Sequence, residues 1–350
     1  VFVISPANLI SNFTPSWLSV GMITGLIFIY YFVSTFLPID KTMGKIYPIF
    51  GAILIVSTVA IGIMLLFQGK PLPELTSANL YLENVNGTPI FPALFFTVSC
   101  GALSGFHATQ SPMVARTMKS EREGRPVFYG MMIGEGVIAM IWAAASMTLF
   151  DGQTLSQLIA QGTPSAVVNQ VSYMLLGSVF GFLAILGVIV LPISSGLSAF
   201  RSLRNIVAEY IHLPQNKIRN VLILTIPIFV ISFILTLMDF NALWRYFNWA
   251  NQVTAVISLF VSTRYLRLKG RNFMVTLIPG IFMLYACVVY ILSEPIGLNL
   301  GLTPLCYGLS LAVSLGLLGL LYYTGSHKIQ ELPSDSPLLN DHLPITTPNT

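Results

Sequence analysis

The stretch FPALFFTVSCGALSGFHATQSP, residues 91–112, decides how this chain must fold. Its first half is apolar enough to lie in lipid, whereas its second half combines two glycines with hydroxyl side chains, a histidine, a glutamine and a proline. A helix needs about 20 mainly apolar residues to cross a bilayer, and this stretch has that length. Because polar side chains are costly in hydrocarbon, a span of this kind must turn its polar groups toward protein or water.

The composition of the whole chain agrees with a membrane protein. Hydrophobic residues make up 55% and charged residues 9%, whereas about a quarter of the residues in soluble domains are charged. Apolar runs long enough to span recur at 17–37, 47–67, 91–113, 127–150, 171–200, 220–238, 247–263, 273–292 and 303–323. We therefore predict an all-α fold, a polytopic transmembrane helical bundle over residues 1–324 with about nine full spans.

The two ends of the chain carry separate predictions. Residues 1–8, VFVISPAN, resemble the end of a further span, and the chain opens with Val, so we expect N-terminal spans to be missing from it. Residues 325–350 are rich in Pro and Ser and too polar to pack, which predicts a disordered cytoplasmic tail.

Orientation in the bilayer follows from the basic residues. When successive loops are assigned to alternate sides, all but two of the 17 Lys and Arg residues fall on one side, the exceptions being Lys70 and Arg245. Cytoplasmic loops collect Lys and Arg, so this side is predicted to be cytoplasmic. The net charge of +4 reflects this bias, and we expect the lipid bilayer rather than nucleic acid as a partner.

No sequence feature predicts a metal site or a cofactor. The three cysteines, Cys100, Cys287 and Cys306, lie in or beside apolar spans without a partner at metal-ligand spacing, which is typical of small buried hydrophobic residues. Neither a Walker loop nor a Gly-rich dinucleotide fingerprint is present. If the protein performs work, an ion gradient must supply the energy.

The polar half of the opening stretch has two interpretations. On a continuous helix, Ser104, His107 and Ser111 fall at i, i+3 and i+7, which places them on one polar face. The paired glycines and Pro112 favour a break in the helix, and broken helices in membranes line cavities or are buried in protein. The alternative is that glycines and small hydroxyls only allow helices to pack closely.

The next span contains a carboxylate at depth. Glu135 lies ten residues beyond Arg125, and His107 lies nine residues before Arg116. At about 1.5 Å per residue, both are some 13–15 Å inside their basic boundary. A carboxylate at that depth needs a partner, a proton or water. We expect Glu135 to bind a proton, a cation or a cationic group of a substrate, with His107 as its candidate partner; a structural hydrogen bond is the alternative.

Two further polar groups remain open to more than one interpretation. Ser194, Ser195 and Ser198 are an alternative cation site, in which sodium would replace the proton, or they serve helix packing and termination. Asn251 and Gln252 are candidates for a substrate pathway, or they cap a helix at the membrane interface together with Asn248.

Three stretches of the chain resemble the carbon starvation protein A family of bacterial transporters. They are residues 91–145, beginning FPALFFTVSCGALSGFHATQSP, residues 199–210, AFRSLRNIVAEY, and residues 243–252, LWRYFNWANQ. The likeness runs in order from the first residues to about residue 300. It implies a secondary transporter of the inner membrane, related to the amino acid-polyamine-organocation fold with its inverted five-helix repeats. It also implies uptake of peptides or pyruvate during carbon starvation, the latter with protons.

The resemblance also carries over candidate residues. GFHATQSP brings Thr109, Gln110 and Ser111 into the substrate pathway beside Ser104, Asn251 and Gln252, and GEG brings Glu135 into ion coupling together with His107. The family pattern has an aspartate where this chain has Leu197, so a charge-dependent role at that position is in doubt.

Other classes of function are less well supported by the sequence. An enzyme would need a nucleophile with a base or a metal cluster, and no complete set is present, so no enzymatic activity is expected. A membrane nutrient sensor would need a cytoplasmic signalling domain, for which the C-terminal tail is too short. The sequence predicts a small-molecule substrate and a coupling ion, and it leaves the oligomeric state open.

Overall fold

The computed structural model describes residues 2–36, 39–72 and 90–330. This part of the chain is helical and has no strand, so the all-α prediction is confirmed. A 3-10 turn at Glu121–Glu123 and a π-helical turn at Arg125–Gly130 precede the sixth helix. The helices are α1 (Ile4–Ser11), α2 (Val20–Phe36), α3 (Ile39–Phe67), α4 (Ile90–Ala102), α5 (Gly105–Thr117), α6 (Met131–Leu149), α7 (Gly152–Tyr210), α8 (Ile218–Leu235), α9 (Phe240–Leu268), α10 (Met274–Ser293) and α11 (Pro304–Gln330).

Seven helical stretches are long and apolar enough to cross a membrane, and each coincides with a predicted span. They are Tyr47–Phe67, Ile90–Thr117, Glu121–Leu149, Pro164–Tyr210, Ile218–Leu235, Met274–Ser293 and Pro304–Leu321. The predicted span at 17–37 corresponds to α2, an apolar helix of only 17 residues. The predicted span at 247–263 lies within α9, which has 29 residues but is too polar to be among the seven.

The predicted tail begins inside a helix. Helix α11 continues to Gln330, six residues beyond the predicted boundary. The remainder of the tail, 331–350, lies outside the described residues, so its disorder stays a prediction.

The chain forms two compact units, each built from two separate stretches of sequence. The first unit combines residues 1–89 with 109–244, and the second combines residues 90–108 with 245–350. Helix α5 therefore begins in the second unit and ends in the first.

Helix α7 organises the core of the first unit. One apolar cluster joins α7 to α1 and α2 around Leu197, which is fully buried. A second cluster joins α7 to α3 and α6 through Val171, Ile61 and Ala145. The position where the family resemblance implies an aspartate is thus part of an apolar core in this chain.

The course of α7 changes at a glycine. Its 59 residues would extend for about 90 Å as a straight helix, almost three times the thickness of a bilayer core. Gly177 has φ +71°, outside the range of a right-handed helix, and glycine adopts this conformation without steric cost. Helix α7 therefore contains a membrane span but is longer than one.

The second unit is built on α10. Its buried residues pack with Phe96 of α4 and Val256 of α9, and the rings of Phe96 and Tyr290 stack with centroids 4.3 Å apart. The indole nitrogen of Trp249 donates to Cys287 O at 3.2 Å, which joins α9 to α10. These contacts hold α4, α9 and α10 together, and the polar residues described next lie among them.

Candidate functional site

The helix is broken at the stretch that opened the sequence analysis. Helix α4 ends at Ala102 and α5 begins at Gly105, so Leu103 and Ser104 interrupt the helical hydrogen bonds. The break lies between the paired glycines, as predicted from them. Pro112 does not break the helix, because it lies inside α5.

Ser104 and His107 cap the N-terminus of α5 together. The hydroxyl oxygen of Ser104 accepts from His107 N at 3.4 Å, and Ser104 N donates to His107 Nδ1 at 3.4 Å. The hydroxyl also lies 2.9 Å from Nδ1. This is the reciprocal pattern of a capping box, with histidine in the place of the usual glutamate.

One contact of the cap gives Nδ1 of His107 the role of an acceptor. A backbone N–H can only donate, so Nδ1 of His107 acts as the acceptor. A neutral imidazole that accepts at Nδ1 carries its proton on Nε2. A proton added at Nδ1 would remove the acceptor and with it one half of the cap.

Two amide side chains of α9 occupy the break. Asn251 Oδ1 accepts from Phe106 N at 3.1 Å, which satisfies one of the N–H groups left free at the start of α5. In the orientation that satisfies its surroundings, the Gln252 amide donates to Leu103 O at 2.9 Å and accepts from Cys100 N at 3.2 Å. Gln252 is fully buried. Asn251 and Gln252 therefore replace hydrogen bonds that the broken helix has lost, which is the condition for irregular backbone at membrane depth.

Gly105 makes this arrangement sterically possible. A Cβ atom at this position would lie 2.6 Å from Thr254 Cβ and 2.8 Å from Asn251 O. Both are far inside normal contact distance, so α5 and α9 approach this closely only because residue 105 has no side chain.

The rest of the predicted pathway lies in the first unit. Thr109, Gln110 and Ser111 are half-buried on α5. The amide nitrogen of Gln110 donates to Ser202 Oγ of α7 at 2.7 Å, and Ser202 is itself buried. The predicted face of Ser104, His107 and Ser111 is thus divided, since Ser104 lies in the break rather than on a continuous helix.

Glu135 lies on α6, near the middle of the candidate span Glu121–Leu149. Its side chain is exposed on the described surface of the first unit. Cβ atoms added at Gly134 or Gly136 would meet nothing within 4 Å, so these glycines permit no close helix contact among the described residues. Because His107 belongs to the second unit, the pairing of Glu135 with His107 stays a prediction.

The serines proposed as an alternative cation site lie on an unbroken part of α7. The helix continues through Ser194, Ser195 and Ser198, so it does not terminate there. Ser194 Oγ donates to Leu191 O at 2.7 Å within the same helix. Gly196 allows a close contact, since a Cβ at this position would clash with the hydroxyl of Tyr31.

The structure also reveals polar residues that the sequence analysis missed. Arg201 is buried and donates to Ser34 O, and Arg204 Nη1 donates to Thr35 O at 3.2 Å. Both arginines therefore bind carbonyls in the last turn of α2, where cations are favourable. Asn248 of α9, which the sequence analysis considered only as part of a helix cap, is buried too. The spacing of Asn248, Asn251 and Gln252 at i, i+3 and i+4 could have indicated one polar face of α9.

Together, the apolar helices and the interrupted span define a polytopic membrane protein with a polar interior at the α4–α5 break. Comparison with known proteins agrees with this class. Residues 9–176 match the family described as carbon starvation protein CstA. This match contains the break and Glu135 but ends before α9.

Several bacterial proteins are similar to parts of the chain. Two are uncharacterized proteins of Haemophilus influenzae. One is 41% identical over 160 residues, which cover 41% of this chain and 43% of the relative. The other is 40% identical over 123 residues, which cover 35% of this chain and 89% of the relative. The pyruvate/proton symporter BtsT of Escherichia coli is 30% identical over 146 residues, 39% of this chain and 19% of that protein. The peptide transporter CstA of Escherichia coli is 32% identical over 145 residues, which cover 39% of this chain and 17% of that protein.

The chain belongs to the carbon starvation protein CstA family. It is a multi-pass protein of the inner membrane. The matched part spans less than half of the first Haemophilus relative and less than a fifth of the two named transporters. No solved structure matches the chain.

Proposed function

We propose that the chain acts in a secondary active transporter that imports peptides or pyruvate in the response to carbon starvation, with protons as the coupling ion. The observation that carries the proposal is the broken helix α4–α5, whose free backbone groups are bound by Asn251 and Gln252 rather than by lipid. Broken helices of this kind supply substrate and ion sites in secondary transporters. The names of the relatives, a peptide transporter and a pyruvate/proton symporter, support the same class and the two substrates.

The cap of α5 suggests how a proton would act on this site. His107 Nδ1 accepts from Ser104 N, and a proton at Nδ1 would convert it into a donor. The backbone N–H of Ser104 would then lose its acceptor, at the point where the two half-helices meet. Proton binding would in this way weaken the cap at the break, and the cap would form again when the proton leaves.

Glu135 is the second coupling candidate. A carboxylate near the middle of a candidate span is expensive in its charged form, so it favours sites that bind a proton or a cation. The serines of α7 are the sodium alternative, and a sodium gradient in place of a pH gradient would favour them.

The test is uptake of labelled dialanine and of labelled pyruvate into vesicles that contain the protein. A pH gradient alone is expected to drive accumulation, and a sodium gradient alone is not. Glu135→Gln is expected to abolish accumulation but to retain exchange of bound substrate, because glutamine keeps the shape without the titrating proton. His107→Ala is expected to weaken coupling less completely, since water can replace the imidazole.

Glu121→Gln is the matched control, because Glu121 is an exposed acidic residue in the 3-10 turn before α6. This variant is expected to behave as wild type. If the Glu135→Gln protein still concentrates substrate on a pH gradient alone, Glu135 has no part in coupling.

A further inference from the structure

The face of α9 that binds the broken helix continues one turn further and ends at an ion pair. Arg245, Asn248 and Gln252 follow one another at i, i+3 and i+7, which places them on one side of the helix. Arg245 Nη1 lies 2.9 Å from Glu294 Oε2, the residue that ends α10. The predicted orientation puts this pair at the outer end of the two helices.

Asn248 lies between the ion pair and the break along α9, and its amide oxygen takes no part in the contacts at either place. The residue is 7% exposed, and its Oδ1 makes no hydrogen bond to any residue that the structure describes. Its neighbours are occupied, since Trp249 binds Cys287 O and Asn251 and Gln252 bind the backbone at the break. A buried amide oxygen without a partner is costly, so Asn248 Oδ1 is available to accept from a group that the described residues do not supply.

We propose that Arg245, Asn248 and Glu294 form the outer recognition site for a zwitterionic substrate, so that the protein takes peptides in preference to pyruvate. The guanidinium of Arg245 binds the terminal carboxylate, for which its planar set of donors is well shaped. Glu294 binds the terminal ammonium, and Asn248 Oδ1 accepts from an N–H of the substrate. This inference rests on the proposed transport function and names its substrate class.

The charges explain the preference. The charges of Arg245 and Glu294 compensate one another across 2.9 Å. A substrate with both charges can replace each partner, so neither side chain is left uncompensated when the pair separates. Pyruvate carries only a carboxylate, so it would satisfy Arg245 but leave Glu294 without its cation. It also has no N–H to donate to Asn248.

Equilibrium binding of labelled dialanine to the purified full chain in lipid nanodiscs tests the site. The double variant Arg245→Gln/Glu294→Gln keeps a hydrogen-bonding pair without charge, and it is expected to weaken binding by about tenfold or more. Lys70→Gln, at the other basic residue predicted outside, is the control and is expected to bind as wild type. Pyruvate and N-acetyl-dialanine are expected to compete poorly.

Asn248→Leu separates recognition from structure. Leucine has a similar size and removes a buried amide without a partner, so this variant is expected to melt at a higher temperature while it binds dialanine more weakly. A purely structural asparagine would not give this combination. Wild-type affinity in Asn248→Leu or in the double variant would overturn the proposal, as would pyruvate binding more tightly than dialanine.

Binding and uptake can fail independently. If the chain binds dialanine through these residues but accumulates no substrate in vesicles, the recognition site stands and the transport function is refuted. If the chain accumulates pyruvate but does not bind dialanine, the transport function stands and the recognition site is refuted.

Discussion

Replacement of Gly105 by alanine tests whether the break depends on the close approach of α5 to α9. The new Cβ would lie 2.6 Å from Thr254 Cβ and 2.8 Å from Asn251 O, about 1 Å closer than ordinary contacts. Neither atom can rotate away, because one is bonded directly to Cα and the other belongs to the backbone. The two helices must therefore separate by about 1 Å.

That separation has a calculable cost. Overpacking of a tight contact costs about 1–3 kcal/mol. The bond from Phe106 N to Asn251 Oδ1, now 3.1 Å, would lengthen beyond hydrogen-bonding distance, and a buried donor without a partner costs about 1–3 kcal/mol. Alanine has a better helix propensity than glycine, which offsets less than about 1 kcal/mol of this cost. Taken together, these terms give a net destabilisation of about 1–6 kcal/mol, and each kcal/mol lowers the melting temperature by roughly 2–4 °C.

The assay uses thiols that the fold already protects. Cys287 and Cys306 are buried and free, so a thiol-reactive dye reports unfolding of the second unit in detergent. Gly308→Ala is the matched control, because a Cβ at Gly308 of α11 would meet nothing within 4 Å. If Gly105→Ala melts within about 1 °C of Gly308→Ala, the close contact does not hold the break.

Three other predictions follow from the same structure. Gln252→Leu is expected to lower the melting temperature, because Leu103 O and Cys100 N each lose a buried partner at a cost of about 1–3 kcal/mol. Thr254→Val loses only a bond within α9 and should melt nearly as wild type. Equal melting temperatures for the two variants would contradict the role of Gln252 at the break. Asp151 caps α7 by accepting from Thr154 N at 2.7 Å, and this bond lowers the pKa of its carboxyl. The contribution of this bond to stability is thus present above the usual carboxyl pKa and lost as the pH falls through the lowered pKa. The melting temperature should therefore fall more steeply toward acid pH for wild type than for Asp151→Asn. Parallel curves of melting temperature against pH would argue against the cap. Single cysteines at Glu294 and Lys269, in a chain without its own cysteines, should label with an impermeant reagent from outside and from inside respectively, and the reverse pattern would invert the predicted orientation.

The sequence predicts most of the helices and the place of the break. Apolar runs locate spans because each backbone group in a helix finds its partner nearby, and the glycines at 101 and 105 mark the interruption for a local reason too. Ser104 and His107 do interact, but not as one face of a helix. The spacing of three residues between an N-cap and position N3 equals the spacing of a helical face, so the pattern alone does not distinguish the two.

The remaining features depend on partners that are distant in sequence. Nothing near Asn251 or Gln252 indicates that these amides bind the backbone around residues 100–106. The same amides make α9 too polar for a typical span, although they face protein rather than lipid. The burial of Asn248 and the contacts of the arginines at the end of α2 cannot be predicted from the sequence for a similar reason, since burial is a property of the assembled fold.

The order of residues in the second unit has a consequence for synthesis. The half-helices α4 and α5 leave the ribosome long before α9, which supplies the amides that satisfy their break. About 150 residues separate the two, so at ordinary elongation rates the gap stays open for roughly 8–30 s. Throughout that interval Leu103 O and Phe106 N depend on water, headgroups or the insertion machinery for hydrogen bonds. A nascent chain released before Gln252 would carry a permanent polar defect, and this makes the break a natural target for membrane quality control.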